Sequence, residues 1–298
     1  MCSTFKYENC MGRNFDYEIS YDEKLQIIER NGFNNKYKVM GMTTGLVTYP
    51  LLYDGMNEKG LCCSALAFEG NAKYWNIKEP QKHCIPSYNF VFWVLGSHNS
   101  VESVIKDLEN LNGVGVIITD RKYSDDFPNS DLHWFVCDKE NSIIIEQTKE
   151  GLIWHYGDVM TNNPPYTAQQ KLYKECIKQI GTGHVKDSMY YTRGIETSYL
   201  PGSYTSEDRF IRLSWLKNKM EECSVESKTF IDSPNLNVSN SFHLLSSVEQ
   251  IYGATPVKDK FEYTIYSVVY DMIDLKIYIK LYPDYTMKIK SLNFLLDK

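Results

Sequence analysis

The 298-residue chain has no long apolar run. Its longest, from Phe90 to Leu95, sits mid-chain and falls far short of the roughly 18 apolar residues that a membrane-spanning helix needs. The opening Met1-Cys2-Ser3-Thr4-Phe5-Lys6-Tyr7-Glu8 lacks the basic start and apolar core of a secretory signal, so the expected location is the cytoplasm. Positive charge is not in excess either. Lys and Arg number 32 against 38 Asp and Glu, a net charge of −6. That balance gives no electrostatic footprint for nucleic acid and disfavours an anionic membrane surface. Proline is sparse at 10 residues, and no Pro/Gly/Ser-rich linker, internal repeat or low-complexity stretch interrupts the chain. Residues 1–298 therefore read as one domain.

Several catalytic signatures are missing too. The eight cysteines are Cys2, Cys10, Cys62, Cys63, Cys84, Cys137, Cys176 and Cys223, and none forms a CxxC pair, so the common zinc and thioredoxin spacings are excluded. HExxH, GxSxG, P-loop and GxGxxG patterns are absent. His83, His98, His133, His155, His184 and His243 are scattered, and the adjacent His83-Cys84 pair would point apart. These histidines read as surface or satisfied core residues. Nothing in the pattern asks for a metal or an organic cofactor.

What is present is ordinary globular composition, 43% hydrophobic and 23% charged, with aromatics at 14% and 23 tyrosines that favour β-structure. Residues 3–7 and 11–15 read as strands around a turn at Asn9. Residues 24–29 and 36–42 flank a second turn, and 51–53 and 61–68 flank the turn-rich 54–60. Residues 86–95 suit a buried helix. Asn99 and Glu102 form a capping box ahead of Val101, Val104, Ile105, Leu108 and Leu111 at helical spacing. Strands return at 114–119, 132–137, 142–147 and 152–155. Helices are expected over 168–180, 207–222 and 239–251, then strands over 263–270, 276–282 and 286–289. Strand groups separated by paired helices predict an α+β sandwich of two sheets flanked by helical layers.

One thiol stands apart. Position 2 is seldom a core position, and removal of Met1 would make Cys2 the first residue. It would then carry a thiol with an ordinary pKa near 8.5 beside a free α-amine near 7.7–8.0, a nucleophile and a base in one residue. Such an enzyme needs no catalytic histidine. If residues 3–7 and 11–15 pair, Arg13 returns beside Cys2, and Asp16 lies near the strand end, placed to accept hydrogen bonds from the amine or thiol. The other seven cysteines read as core or surface residues.

Cys2 followed by Gly12-Arg13-Asn14-Phe15-Asp16 resembles the start of the choloylglycine hydrolase family, the bile salt hydrolases and penicillin V acylases. Tyr53-Asp54-Gly55-Met56-Asn57-Glu58-Lys59-Gly60-Leu61, Ile145-Glu146-Gln147-Thr148, Met160-Thr161-Asn162-Asn163-Pro164 and Leu200-Pro201-Gly202-Ser203-Tyr204-Thr205 leading to Asp208-Arg209-Phe210 are similar to further stretches of that family, in its order and at nearly its spacing. The resemblance implies an N-terminal nucleophile hydrolase with a four-layer αββα fold. It makes Cys2 the nucleophile, Arg13 and Asp16 the residues that orient it, Asn162 an oxyanion donor and Arg209 a second arginine in the charge network. The backbone N–H of Ala67 becomes the other oxyanion donor, at a position where bile salt hydrolases usually carry asparagine and penicillin acylases often tyrosine. The turn before Arg13 is shorter than is common. The stretch 166–198, which helps relatives assemble as tetramers, also differs, so a homo-oligomer, dimer or tetramer, is expected without a fixed size.

The substrate is expected to be a small linear amide with an apolar acyl part. Conjugated bile acids come first, with penicillin V or an N-acyl amino acid or fatty amide as alternatives. Tyr17, Tyr21, Phe127 and Trp134 are the candidates for lining the acyl pocket. A non-catalytic binding protein on the same scaffold is the rival from another class, and retention of the five polar positions argues against it.

Overall fold

The computed structural model describes residues 1–77, 83–109, 115–125, 127, 129–182, 194–226, 233 and 235–291. The N-terminal hairpin forms as its alternation predicts: β1 (Cys2–Tyr7) turns at Glu8, whose φ of 50° lies in the left-handed region, into β2 (Cys10–Tyr17). The chain continues through β3 (Glu23–Ile28), β4 (Val39–Thr44), β5 (Leu52–Asn57), β6 (Cys62–Ala67), β7 (Cys84–Pro86), α1 (Phe90–Ser97), α2 (Val101–Glu109), β8 (Ile117–Thr119) and β9 (Leu132–Cys137). Next come β10 (Ser142–Thr148), β11 (Gly151–Tyr156), β12 (Val159–Met160), α3 (Tyr166–Cys176), α4 (Ser206–Glu226), α5 (Leu236–Ser247), β13 (Thr255–Val257), β14 (Lys260–Asp271), β15 (Lys276–Leu281) and β16 (Asp284–Ser291).

Among the described residues two seven-stranded antiparallel sheets result, beside a small parallel pair of β7 and β8. One runs β12-β1-β2-β14-β15-β16 with β13 added to β14; the other runs β11-β10-β9-β6-β5-β4-β3. Helices α4 and α5 pack on the first sheet and α1 on the second, which completes the αββα sandwich. Strand alternation sorts the side chains. Along β2, Arg13 and Phe15 face the second sheet, whereas the Asn14 amide reaches outward to the Leu245 carbonyl at 2.9 Å. Among the described residues no helix is long and apolar enough to cross a membrane.

The structure departs from expectation in instructive places. Residues 54–57 continue β5 instead of forming the turn, which is confined to the residues that follow, with Gly60 at φ 78°. The strand persists because Gly41 and Gly55 sit directly opposite each other and let the backbones close. A Cβ on Gly41 would overlap the Asp54 carbonyl oxygen, and one on Gly55 would lie 2.6 Å from the Met40 carbonyl oxygen. Gly41→Ala is accordingly expected to lower stability by about 1–3 kcal/mol in a denaturant titration.

The capping box falls one residue later than predicted. Ser100 and Ser103 exchange N–H···Oγ bonds of 3.2 Å, while Glu102 pairs with Lys106 one turn on. Pro86 is extended, so helical backbone begins at Ser87 and not at 86, as a 3-10 turn over Ser87–Asn89 that leads into α1. Helix α3 ends at Cys176, short of 180, and α5 ends at Ser247, which frees Gln250 to face β14. Leu111 of the predicted helical face, Val114 and residues 183–193 of the 166–198 stretch lie outside the described residues.

Candidate active site

Strand register assembles the site. Cys2 lies directly opposite Phe15 and Thr4 opposite Arg13, so Cys2, Arg13 and Phe15 share the inner face of the sheet. On the other flank of β1, Thr4 pairs with Met160 of β12. Carrying that register two residues further sets Asn162 beside Cys2, whose backbone N–H donates to Asn162 Oδ1 at 2.7 Å. Two residues 160 apart in sequence meet because β12 caps the sheet edge at β1.

Arg13 is fully buried, and its Nη2 points at the Cys2 sulfur at 3.7 Å while donating to the Ala65 carbonyl at 2.7 Å. Its Nη1 forms an ion pair with Asp54, a residue of the facing sheet. Asp54 also accepts from the Tyr266 and Tyr270 hydroxyls, so three donors from one sheet converge on one carboxylate of the other. Burial opposes the Arg13 charge. The facing Tyr266 oxygen, the Asp54 carboxylate and the Cys2 sulfur outweigh it, holding the guanidinium above its ordinary pKa.

Arg209 approaches from α4 on the outer face. Its Nη1 donates to the Cys2 carbonyl and to Ser3 Oγ, each at 2.6 Å, and its Nη2 to Asn162 Oδ1 at 3.0 Å. Burial pulls its pKa down, partly offset by Asp16, Cys2 and Glu262. Asp16 lies within β2. Its carboxylate accepts from Thr264 Oγ1 at 2.6 Å and Gln250 Nε2 at 3.0 Å and stands 3.9 Å from Arg209. Its backbone carbonyl faces the N-terminus, 2.9 Å from the Met1 nitrogen and 3.9 Å from the Cys2 sulfur. With Met1 in place, the carbonyl and not the carboxylate therefore makes the contact that Asp16 was expected to supply.

Ala67 closes the arrangement. Phe68 N–H bonds to Asp131 O at 2.8 Å and continues the β6–β9 register, so Phe68, Leu66 and Ser64 are the hydrogen-bonded positions toward β9. Ala67 and Ala65 turn their polar groups the other way, past Asp54↔Ser64, the last β5–β6 pair. There the Ala65 carbonyl meets Arg13 and the Ala67 carbonyl accepts from Asn162 Nδ2 at 2.8 Å. The Ala67 N–H points to the same side as its carbonyl.

Of the four pocket candidates, the half-buried Tyr17 and Tyr21 continue outward from Phe15, with ring centroids 6.4 Å apart for Phe15–Tyr17 and 5.8 Å for Tyr17–Tyr21. Tyr53 adds to the same apolar wall, 4.7 Å from Phe15. Phe127 joins a separate aromatic group through Tyr123 and Tyr49. Trp134 is not brought to Cys2. It is fully buried on the outer side of its sheet against Phe90, because β9 turns Phe135 and not Trp134 toward the facing sheet. Among the described residues no histidine bonds to Cys2; buried His133 faces Glu146 at 3.4 Å and His98 faces Asp107 at 3.0 Å.

Sequence reasoning assigned no role to Asp54, Gln250, Glu262 or Thr264. A signal for Asp54 existed. Tyr266 and Tyr270 are four apart in one strand, which puts both phenols on a single face awaiting an acceptor.

The family of linear amide C–N hydrolases known as the choloylglycine hydrolase family matches residues 1–295. The chain belongs to the choloylglycine hydrolase family. Among relatives, the bile salt hydrolase/transferase of Lactiplantibacillus plantarum is 36% identical, over 98% of this chain and 93% of that protein. The one from Clostridium perfringens is 33% identical, over 86% of this chain and 80% of that protein. Among solved structures, the C2A mutant of the conjugated bile acid hydrolase from Clostridium perfringens aligns at a TM-score of 0.82 with 28% identity, over 99% of this chain and 93% of that one. Penicillin V acylase from Agrobacterium tumefaciens, at 21% identity and a TM-score of 0.73 over 98% and 86%, shares the fold.

Proposed function

We propose that this chain, acting as one hydrolase unit, cleaves the amide bond of glycine- and taurine-conjugated bile acids, with Cys2 as nucleophile once Met1 is removed. The observation that carries the reading is the thiol of residue 2 held against buried Arg13 and the Asp16 carbonyl, with Asn162 and Arg209 on its backbone. Relatives at 33–36% identity that are named bile salt hydrolase/transferase support the substrate. The Phe15–Tyr17–Tyr21 wall beside Cys2 supports an apolar acyl group.

In this reading the Cys2 α-amine takes the thiol proton, and the sulfur attacks the amide carbonyl carbon. The carbonyl electron pair moves to oxygen, where the second proton of Asn162 Nδ2 and the Ala67 N–H receive it. Losing one such donor typically costs about 2.7–4 kcal/mol of barrier. The C–N bond then breaks, the leaving nitrogen takes the proton from the amine, and glycine or taurine departs. Water, deprotonated by the same amine, attacks the thioester. Breaking the C–S bond releases the free bile acid and returns the proton to sulfur. Arg13 steadies negative charge on sulfur throughout.

The test is product release against glycine- and taurine-conjugated bile acids, penicillin V and several N-acyl amino acids, with loss of Met1 verified by intact mass. Turnover of the bile conjugates is expected. Turnover of only the other amides would move the substrate to the acylase side.

A further inference from the structure

Behind the N-terminus lies a second carboxylate that the reaction scheme leaves unused. Glu262 of β14 is 5% exposed, and among the described residues its carboxylate accepts from the Met1 ammonium and from Gln250 Nε2, the latter at 3.2 Å. Gln250 is fully buried and wholly committed. Its backbone N–H and C=O bond to Thr264, its Oε1 accepts from Thr255 at 2.9 Å, and its Nε2 donates to both Asp16 and Glu262. One amide thus holds two carboxylates in place at the same end of the sheet.

Two buried carboxylates around one neutral amide need cations. Arg209 of α4 serves Asp16 of β2 at 3.9 Å, and the N-terminus at the head of β1 serves Glu262. Burial raises the Glu262 carboxyl above the ordinary carboxylate range; the N-terminal ammonium opposes that rise, Asp16 adds to it and Arg209 opposes it. The N-terminal ammonium, Asp16 and Arg209 are the charged groups that act most strongly on Glu262.

Removing Met1 shifts the terminal ammonium by one residue, from the Met1 nitrogen to the Cys2 nitrogen, a span of at most about 3.7 Å. The new ammonium therefore stays within charge contact of Glu262. We propose that Glu262 is a positioning residue for the N-terminal amine: it anchors the Met1 ammonium before processing and afterwards holds the Cys2 ammonium, setting the pH at which that amine becomes a free base. The proposal rests on the reading of the Cys2 amine as the catalytic base.

The sign follows from charge. A carboxylate near an ammonium favours the protonated form, so Glu262→Gln lowers the pH at which the amine deprotonates. The expected shift is about one pH unit, the lower end for a charge about 4–6 Å away. Glu262→Asp keeps the charge at shorter reach and restores most of the wild-type value.

The experiment follows the amine directly. Protein labelled with 15N-cysteine has one amine among its cysteine nitrogens, that of Cys2, once intact mass verifies that Met1 is gone. Its 15N resonance is titrated in the wild type and in both variants, beside the pH profile of kcat/KM. A midpoint lowered in Glu262→Gln and recovered in Glu262→Asp, with the acid limb of the rate profile moving alongside, supports the proposal. An unmoved amine midpoint in folded Glu262→Gln overturns it. A moved midpoint with an unmoved rate profile upholds the charge contact and overturns the amine as base, so the two readings fail separately.

Discussion

Cys2→Ala is expected to abolish amide hydrolysis, by about four orders of magnitude or more, while the melting temperature stays within a few degrees of the parent. The asymmetry comes from what the sulfur touches. Its contacts are long and weak, 3.7 Å to Arg13 Nη2 and 3.9 Å to the Asp16 carbonyl, so deleting it sacrifices little folding energy. The bonds that hold residue 2 belong to its backbone, through Asn162 Oδ1 and Arg209 Nη1, and alanine keeps them. The C2A mutant of the Clostridium perfringens relative is itself a solved structure of the same fold. Product release and thermal unfolding on one preparation check both halves. Turnover surviving in Cys2→Ala would sink the nucleophile assignment, whereas loss of fold would show that the thiol is structural. Cys2→Ser should be nearly as inactive, because a hydroxyl is a far weaker nucleophile beside so modest a base.

Asp54→Ala is expected to act the opposite way, through the fold first. Asp54 is fully buried and takes hydrogen bonds from Arg13, Tyr266 and Tyr270 across the gap between the sheets. Its removal leaves a guanidinium buried without its anion and two phenols without their acceptor. Breaking a buried pair from one side costs about 3–5 kcal/mol. Activity should fall as well, since Arg13 loses the contact that aims Nη2 at the sulfur. Denaturant unfolding of Asp54→Ala and Asp54→Asn separates the terms. Asparagine keeps the shape and one acceptor, so it should lose less than alanine but still destabilise by leaving Arg13 uncompensated. An alanine variant as stable as the parent would mean that the inter-sheet carboxylate contributes nothing net.

These two residues also mark where reading the chain succeeds and where it fails. Cys2 was legible because its chemistry is local: a thiol at position 2, and a hairpin whose alternation returns Arg13 to the same face. Asp54 reads as a turn residue because the stretch through Gly60 is rich in Asp, Gly, Asn and Lys. What makes it strand is the Gly41↔Gly55 approach to a neighbour that local composition does not reveal. Trp134 counts among the sequence candidates for the pocket lining, but alternation along β9 sends it outward, and only knowing which face of that sheet meets the other decides the matter. Gln250 falls inside the helix that the sequence predicts over 239–251, and its release to clamp Asp16 and Glu262 depends on α5 stopping at Ser247.

Residues alone were enough for the two-sheet α+β architecture, the N-terminal hairpin and the thiol on which the chemistry centres, because strand alternation and helix periodicity are short-range signals. The resemblance added Asn162 and Arg209, but what each touches came from tertiary structure. Register across 160 residues puts Asn162 on the Cys2 nitrogen, α4 brings Arg209 to the Cys2 carbonyl, and facing sheets join Arg13 to Asp54. Such partnerships are set by packing between segments far apart in the chain, where a shift of one residue turns every side chain to the opposite face.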